Sequence, residues 1–264
     1  MKPKLLLIGK NSFISIILYK YLKKKIKLEK ISFESFKNYD ENSLKKFTHI
    51  CNCAIKKQYQ NNKYSLKNDI DLEIVNRIKN TKIKYIFLSS RKVYLAKNNI
   101  KENSKLKPNC NYSKNKIITE NKIRKKLPKN HLILRISNII GRNHDVSSYR
   151  KVSNTFIENF YKLKKRKKIF YENFYKDFLS EKQFSSIFYE ILKKDLRGIY
   201  NISLGEKVFI SEILFALNKN KINNKFYELD HISNDNFVLN NQKLKNKINI
   251  KISKKDLLKY CYRM

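Results

Sequence analysis

Hydrophobic positions along this chain fall into short blocks of two kinds. Residues 4–9 (KLLLIG) form an apolar run closed by a glycine, as in a strand buried on both faces of a parallel sheet. The next block, 12–25, has helical spacing: Phe13, Ile16, Ile17 and Leu22 share one side, and lysines gather at its end. The two patterns then alternate. Further strands are expected at 29–33, 48–55, 84–90, 131–141 and 198–203. Helices are expected at 41–47, 67–80, 111–127, 154–168, 180–195 and 209–219. Pro128 stops the helix at 111–127, and Gly141 stops the strand at 131–141. This alternation predicts an α/β fold: a doubly wound parallel sheet covered by helices on both faces. No internal repeat and no Pro-, Gly- or Ser-rich linker divides the sequence.

At 264 residues the chain can bury a full core without disulfides or metals, and 41% hydrophobic residues argue against disorder. No apolar run approaches the ~20 residues of a membrane span. The opening apolar stretch ends at Gly9–Lys10–Asn11, short of the ~7 residues at the centre of a secretory signal. A cytoplasmic protein with no membrane partner is expected. Cys51 and Cys53 lie two apart with no second pair to complete a metal site. With Cys110 and Cys261 they are expected to be free thiols, and no metal is expected.

The net charge of +38 invites a nucleic-acid reading. The excess is nearly all lysine, spread over the whole length, and only nine residues are arginine. Asn, Ile, Tyr and Phe are also abundant, while Gly (4), Pro (3) and Trp (0) are scarce. The abundant residues have AT-rich codons and the scarce ones GC-rich codons. A nucleotide bias of the genome accounts for the charge more simply than a nucleic-acid partner does. A basic surface still assists capture of an anionic small molecule.

In a doubly wound sheet, the helix after the first strand offers free N–H groups to a dinucleotide pyrophosphate. Here that turn reads Gly9-Lys10-Asn11-Ser12-Phe13-Ile14-Ser15, with serines where the fingerprint has its second and third glycines. Gly9 can make the tight turn, and the Ser12 hydroxyl can donate to phosphate. Glu34 is expected at the end of the second strand, where an acid binds ribose hydroxyls and repels a 2′-phosphate. That favours NAD, with NADP not excluded. Tyr112 and Lys116 lie four apart on a helix and so share a face. An ammonium beside a tyrosine favours its phenolate, so the pair can exchange a proton with a hydroxyl or carbonyl while a nicotinamide exchanges hydride. Ser90 closes the preceding strand, where its hydroxyl can share the substrate oxygen. Tyr161 and Lys165 repeat the spacing by chance; only Tyr112 follows a strand ending in Ser-Ser.

Taken together, these segments resemble the extended short-chain dehydrogenase/reductases, the NAD-dependent epimerase/dehydratase family acting on nucleotide sugars. The likeness runs from residue 4 to about 218. "LLLIGKNSFIS" resembles the family's glycine-rich turn, and "FTHICNCAI" its fourth strand. "YIFLSSRKVY" resembles "SSxxVYG", and the stretch ending "NYSKNKIITE" resembles "YxxSK…E". "LILRISNIIGR", "FYKDFLSEKQF" and "GIYNISLGEKVFISEI" resemble later family segments. The resemblance implies a Rossmann-like core over 1–141, with 176–203 returning to it. It implies a small C-terminal substrate-binding lobe built mainly from 142–264. Gly9, Asn11, Ser12, Phe13, Ile14, Glu34, Asp40, Cys53, Ala54, Tyr112 and Lys116 would hold NAD. Ser90, Tyr112 and Lys116 would be catalytic, and Ser90, Ser137 and Asn138 would face the sugar.

The family's 4,6-dehydratases carry an Asp-Glu pair after the catalytic hydroxyl. Arg91 and Lys92 stand there in this sequence, which argues against dehydration. Reduction of a keto sugar, as in the dTDP-4-dehydrorhamnose reductases, and 4-epimerisation both fit, in surface-glycan precursor synthesis. A nucleotide-sugar substrate and a homodimer are the partners implied. The missing glycines, and Leu95 where the motif has Gly after Tyr94, bear on cofactor affinity rather than on fold. Two alternatives stay open: a non-catalytic dinucleotide or sugar-nucleotide sensor, and an RNA-binding protein on the same fold. RNA binding would show steep salt dependence and indifference to Tyr112.

Overall fold

The computed structural model describes residues 2–141, 168–218, 225–229 and 235–264. The helix expected at 154–168 lies outside the described residues except for Lys168, which opens a strand. The pair Tyr161–Lys165 also lies outside them.

The strands β1 (Lys4–Ile8), β2 (Lys27–Ile31), β3 (His49–Asn52), β4 (Lys84–Ser90), β5 (His131–Ile136) and β10 (Gly198–Ile202) form one parallel sheet. Their order is β10-β5-β4-β3-β1-β2. The chain therefore reverses its winding between β1 and β3, the place where such sheets open a crevice at their carboxyl ends. Between β1 and β4 the chain forms α1 (Phe13–Leu22), α2 (Phe33–Lys37), α3 (Glu41–Lys45), α4 (Lys57–Asn61) and α5 (Ile70–Ile78). Then come α6 (Asn111–Lys126) and α7 (Glu181–Lys193), the helices before β5 and β10.

Alternation along β1 divides the core in two. Leu5 and Leu7 pack with Ile17, Leu18 and Leu22 of α1 and with Phe184, Ile187 and Phe188 of α7. Leu6 and Ile8 pack with Ile74, Val75 and Ile78 of α5 and with Ile123 of α6. Burying the apolar side chains of these two clusters, at ~1.5–3 kcal/mol for each large one, is the main stabilising term. The helices α8 (Ile210–Asn218) and α10 (Lys254–Tyr262) join the first core through Ile213, Leu214, Leu257 and Cys261.

Several elements differ from the sequence pattern. β2 begins two residues early, and it also ends two residues early because Ser32 caps α2 by accepting the Ser35 N–H. Only α2 and α3 lie between β2 and β3, so β2 stays at the sheet edge. The run expected as one strand at 131–141 splits at Ser137. Its N–H bonds to Ile202 in β10, whereas the Asn138 N–H bonds to the Asp177 carbonyl. The split sends β6 (Asn138–Ile140) away from the main sheet to pair with β9 (Phe178–Ser180). The short elements β7 (Lys168–Glu172), β8 (Tyr175–Lys176), β11 (Val208–Phe209), β12 (Lys225–Leu229) and α9 (Gln242–Lys245) left no periodic signal. Among the described residues no helix is long and apolar enough to cross a membrane.

Candidate functional site

The site starts from the turn between β1 and α1. Gly9 has φ +103°, and a Cβ there would stand 2.6 Å from the Ala54 nitrogen and 3.0 Å from the Cys53 carbonyl carbon. The backbone N–H groups of Gly9 and Lys10 both donate to the Ile31 carbonyl, while the Cys53 N–H donates to Ile8. One turn thus knits together the ends of β1, β2 and β3. Ser12 caps α1: its hydroxyl oxygen accepts from the Ser15 N–H at 3.1 Å, which leaves the hydroxyl hydrogen free to donate. The N–H groups of Phe13 and Ile14 make no hydrogen bond to any described residue. Two such N–H groups at the positive end of a ten-residue helix are suited to a pyrophosphate. Ser15 is fully buried against the core.

Ser12, Phe13, Ile14, Cys53 and Ala54 line a cleft of about 870 Å³ that also reaches Asn52, Asp71, Leu88, Tyr112 and Lys116. A second cavity of about 390 Å³ is lined by Ser90, Tyr112, Ser137, Asn138 and Lys176. Phe13, Ile14, Leu88 and Tyr112 border both cavities. Tyr112 therefore stands at their junction, with Ser90 on one side and Lys116 on the other. The free N–H pair, the hydroxyl of Ser12 and the volume of the first cleft fit a dinucleotide.

Two of the acids expected at the cofactor do not border either cavity. Glu34 is not at the end of β2: the strand stops at Ile31, and Glu34 is exposed in the first turn of α2. The residue that follows the strand is Ser32, so the argument for NAD from an acid at that point does not apply to Glu34. Asp40 is exposed, and its carboxylate caps α3 by accepting the Ser43 N–H at 2.6 Å. Hydrogen bonding by the Ser43 side chain, and then by its N–H, holds the Asp40 pKa below the usual carboxylate value. Asn11 is exposed beside the turn. None of these three borders either cavity.

Lys116 is 6% exposed, with its ammonium 4.3 Å from the centre of the Phe87 ring and 5.8 Å from that of Tyr112. The helix that carries both residues is clamped along its length. Asn111 donates to the Asn61 carbonyl, and Asn115 donates to the carbonyls of Tyr59 and Asn62. Thr119 donates to Asp69 at 2.6 Å. Four residues beyond Lys116, Glu120 forms a buried ion pair with Arg135 (2.6 Å) and accepts from the Ser89 hydroxyl. Arg135 also donates to Tyr94, which donates to Asn201. Sequence reading missed Asp71, Asn115 and the Glu120–Arg135 pair. Arg135 carried a signal: a charge inside the apolar run "LILRI" requires a buried partner.

Ser90 caps a short 3₁₀ turn, accepting from the Lys92 N–H at 3.2 Å. In that turn Arg91 makes a bidentate pair with Asp235, both contacts 2.7 Å, and stacks 4.0 Å over Phe237. Lys176 reaches the same carboxylate at 2.6 Å. Burial raises the pKa of Asp235, but the hydrogen bonds and charges of Arg91 and Lys176 outweigh it and hold it down to about 2.

Comparison with curated protein sequences gives no match. Solved structures do match over nearly the whole length. The UDP-N-acetylglucosamine 4-epimerase of Methanobrevibacter ruminantium M1, in complex with UDP-N-acetylmuramic acid, is 20% identical with a TM-score of 0.76, covering 99% of this chain and 97% of that one. A dTDP-4-dehydrorhamnose reductase from Yersinia enterocolitica is 16% identical with a TM-score of 0.75, covering 98% and 99%. A dTDP-glucose 4,6-dehydratase from Bacillus anthracis, in complex with NAD, is 16% identical with a TM-score of 0.74, covering 99% and 96%. At these identities the likeness establishes the fold. The sequence model of the NAD-dependent epimerase/dehydratase family matches residues 16–203, and the chain belongs to that family.

Proposed function

We propose that the protein is a dinucleotide-dependent oxidoreductase of nucleotide sugars. It interconverts a hydroxyl and a keto group by reduction or 4-epimerisation, in the synthesis of surface-glycan precursors. The observation that carries this reading is the position of Tyr112 at the junction of the two cavities. The larger cleft takes the dinucleotide, with Phe13, Ile14 and Ser12 at its pyrophosphate and Lys116 at the ribose beside the ring. The smaller one takes the sugar, between Ser90, Ser137 and Asn138. The bound nicotinamide supplies or accepts the hydride. Tyr112 gives its phenolic proton to the substrate oxygen in reduction and takes it back in oxidation. Lys116 supports the phenolate electrostatically, and the Ser90 hydroxyl holds the same oxygen in line. Arg91 and Lys92 follow Ser90 without a carboxylate, and the Arg91 guanidinium is engaged by Asp235. A site without that acid has no group there to drive loss of water, so dehydration is set aside.

The experiment is a titration with NADH and NADPH by cofactor fluorescence, followed by turnover of keto sugars on UDP and dTDP. Tyr112→Phe should keep dinucleotide binding and lose roughly 10²–10⁴-fold in turnover. Failure to bind either dinucleotide, or full turnover in Tyr112→Phe, would overturn the proposal.

A further inference from the structure

Asp71 is a buried acid that the mechanism above does not use. It lies in the first turn of α5, is 6% exposed, and borders the same cleft as Lys116 and Tyr112. Its carboxylate is held from behind. One oxygen, Oδ1, accepts from the Tyr85 hydroxyl at 2.6 Å and from the Asn52 amide at 3.0 Å. The other oxygen, Oδ2, has no hydrogen-bond donor among the described residues. The groups acting on Asp71 come from every element around it: Lys116 from α6, Asp69 from the start of its own helix, and Tyr85 and Asn52 from β4 and β3. Cys51 of β3 and Tyr59 of α4 also sense its charge. Lys116 is the cation of this set. It makes no ion pair within 4 Å among the described residues, yet it acts on the Asp71 charge, and both residues border the same cleft.

A fixed ammonium in a partly enclosed cleft opposes any second cation that enters. An oxidised nicotinamide ring is a cation and a reduced one is neutral. We propose that Asp71 is the counter-charge of this cleft: it offsets Lys116 so that the protein holds the oxidised dinucleotide as well as the reduced one. The inference rests on the dinucleotide reading above and adds a residue that sets the balance between redox forms. Tyr85 and Asn52 suit this role because they fix the carboxylate in place without neutralising it. Asp71 is a positioning residue for charge and need not touch the reacting atoms.

The test measures dissociation constants of NAD⁺ and NADH separately, with the purified protein and with Asp71→Asn. Asparagine keeps an oxygen for Tyr85 and Asn52 and removes the charge, with an NH2 group in place of Oδ2. Losing a unit charge beside a charged ligand corresponds to about a tenfold change in affinity. Asp71→Asn should therefore weaken NAD⁺ about tenfold relative to NADH. A second measurement needs no variant. Burial raises the Asp71 pKa to about 6, against the opposing pull of Lys116. In the unaltered protein, preference for NAD⁺ should fall as pH drops from 7.5 to 5.5, and the variant should show no such fall. Equal weakening of both forms, or an unchanged ratio with a flat pH profile, would overturn the role of Asp71 while leaving the dinucleotide reading intact. If neither form binds the unaltered protein, the dinucleotide reading fails and this inference fails with it.

Discussion

Gly9 and Gly198 offer a matched pair in which local strain can be separated from close contact. Both have positive φ, +103° and +94°, so an added side chain strains both backbones by about 1–3 kcal/mol. Only Gly9 is crowded. Its Cβ would meet backbone atoms of Ala54 at 2.6 Å and Cys53 at 3.0 Å, whereas nothing lies within 4 Å of a Cβ at Gly198. Those neighbours are held by the Cys53 N–H bond to Ile8 and the Asn52 side-chain bonds to Ala54, so they cannot give way cheaply. Overpacking of this kind adds about 1–3 kcal/mol. Gly9→Ala should cost ~2–6 kcal/mol against ~1–3 for Gly198→Ala. At about 2 °C per kcal/mol for a chain of this length, melting temperatures should fall by ~4–12 °C and ~2–6 °C. Differential scanning calorimetry of the two variants with the parent protein reads both numbers. Equal losses would refute the reasoning, because they would mean that the β1–α1 turn does not press on the end of β3. Dinucleotide binding should weaken in Gly9→Ala alone, since only that turn borders the cleft.

Other perturbations follow from the same geometry. Glu120→Ala leaves the Arg135 guanidinium buried without its carboxylate and should cost about 3–5 kcal/mol, read from urea denaturation. The double change Glu120→Leu with Arg135→Met should cost less than Glu120→Ala alone, because no buried charge is then left unpaired. The pKa of Asp235 is about 2 in the fold, below its ordinary value near 4, so the unfolded chain binds its proton first on acidification. The stability it contributes is complete above about pH 4 and is lost as pH falls to about 2. Asp235→Asn should flatten that part of a stability-against-pH curve. His49 is pushed by burial to about 4, from an ordinary value near 6.5, so its neutral ring is the folded form. Its contribution should be complete above about pH 6.5 and decline as pH falls to 4, a slope absent in His49→Gln.

Legibility in the sequence followed the physics of each element. Strands buried on both faces, such as "KLLLI" and "KYIFLSS", announce themselves because the covered sheet makes their central positions continuously apolar. Long helices with one buried face did so by their 3.6-residue period, as in α7. Boundaries were less legible wherever a hydrogen bond, not hydrophobicity, decides them: the Ser32 cap ends β2 at Ile31, and the switch of partners at Ser137 divides one apolar run between two sheets. Glu34 was misplaced for that reason alone. Ser90, Tyr112 and Lys116 were legible as a spacing, but spacing cannot reveal that Tyr112 borders two cavities. The supporting residues Asn115, Thr119 and Asp71 were invisible because each works through partners at least 14 positions away.

The serines in the first turn show which part of a glycine fingerprint the backbone demands. Of the positions 9, 12 and 15, only 9 has a left-handed φ. Ser12 sits at φ −78° and ψ 145°, extended backbone open to any residue, and Ser15 lies in a regular helix. Glycine at 12 serves close approach of a ligand, and glycine at 15 serves close approach of the helix to the sheet. Neither is needed to fold the turn. Ser12 in fact supplies a cap that glycine lacks, worth a few tenths of a kcal/mol over glycine. Its hydroxyl keeps a hydrogen directed at no described residue, so what it takes from the space above the helix it returns as a donor. Gly9 is retained because replacing it would strain the backbone and drive a side chain into Ala54. The fold therefore constrains the first glycine, while the other two answer to the ligand, and in this chain a polar substitute at 12 still presents hydrogen-bond donors to an anion.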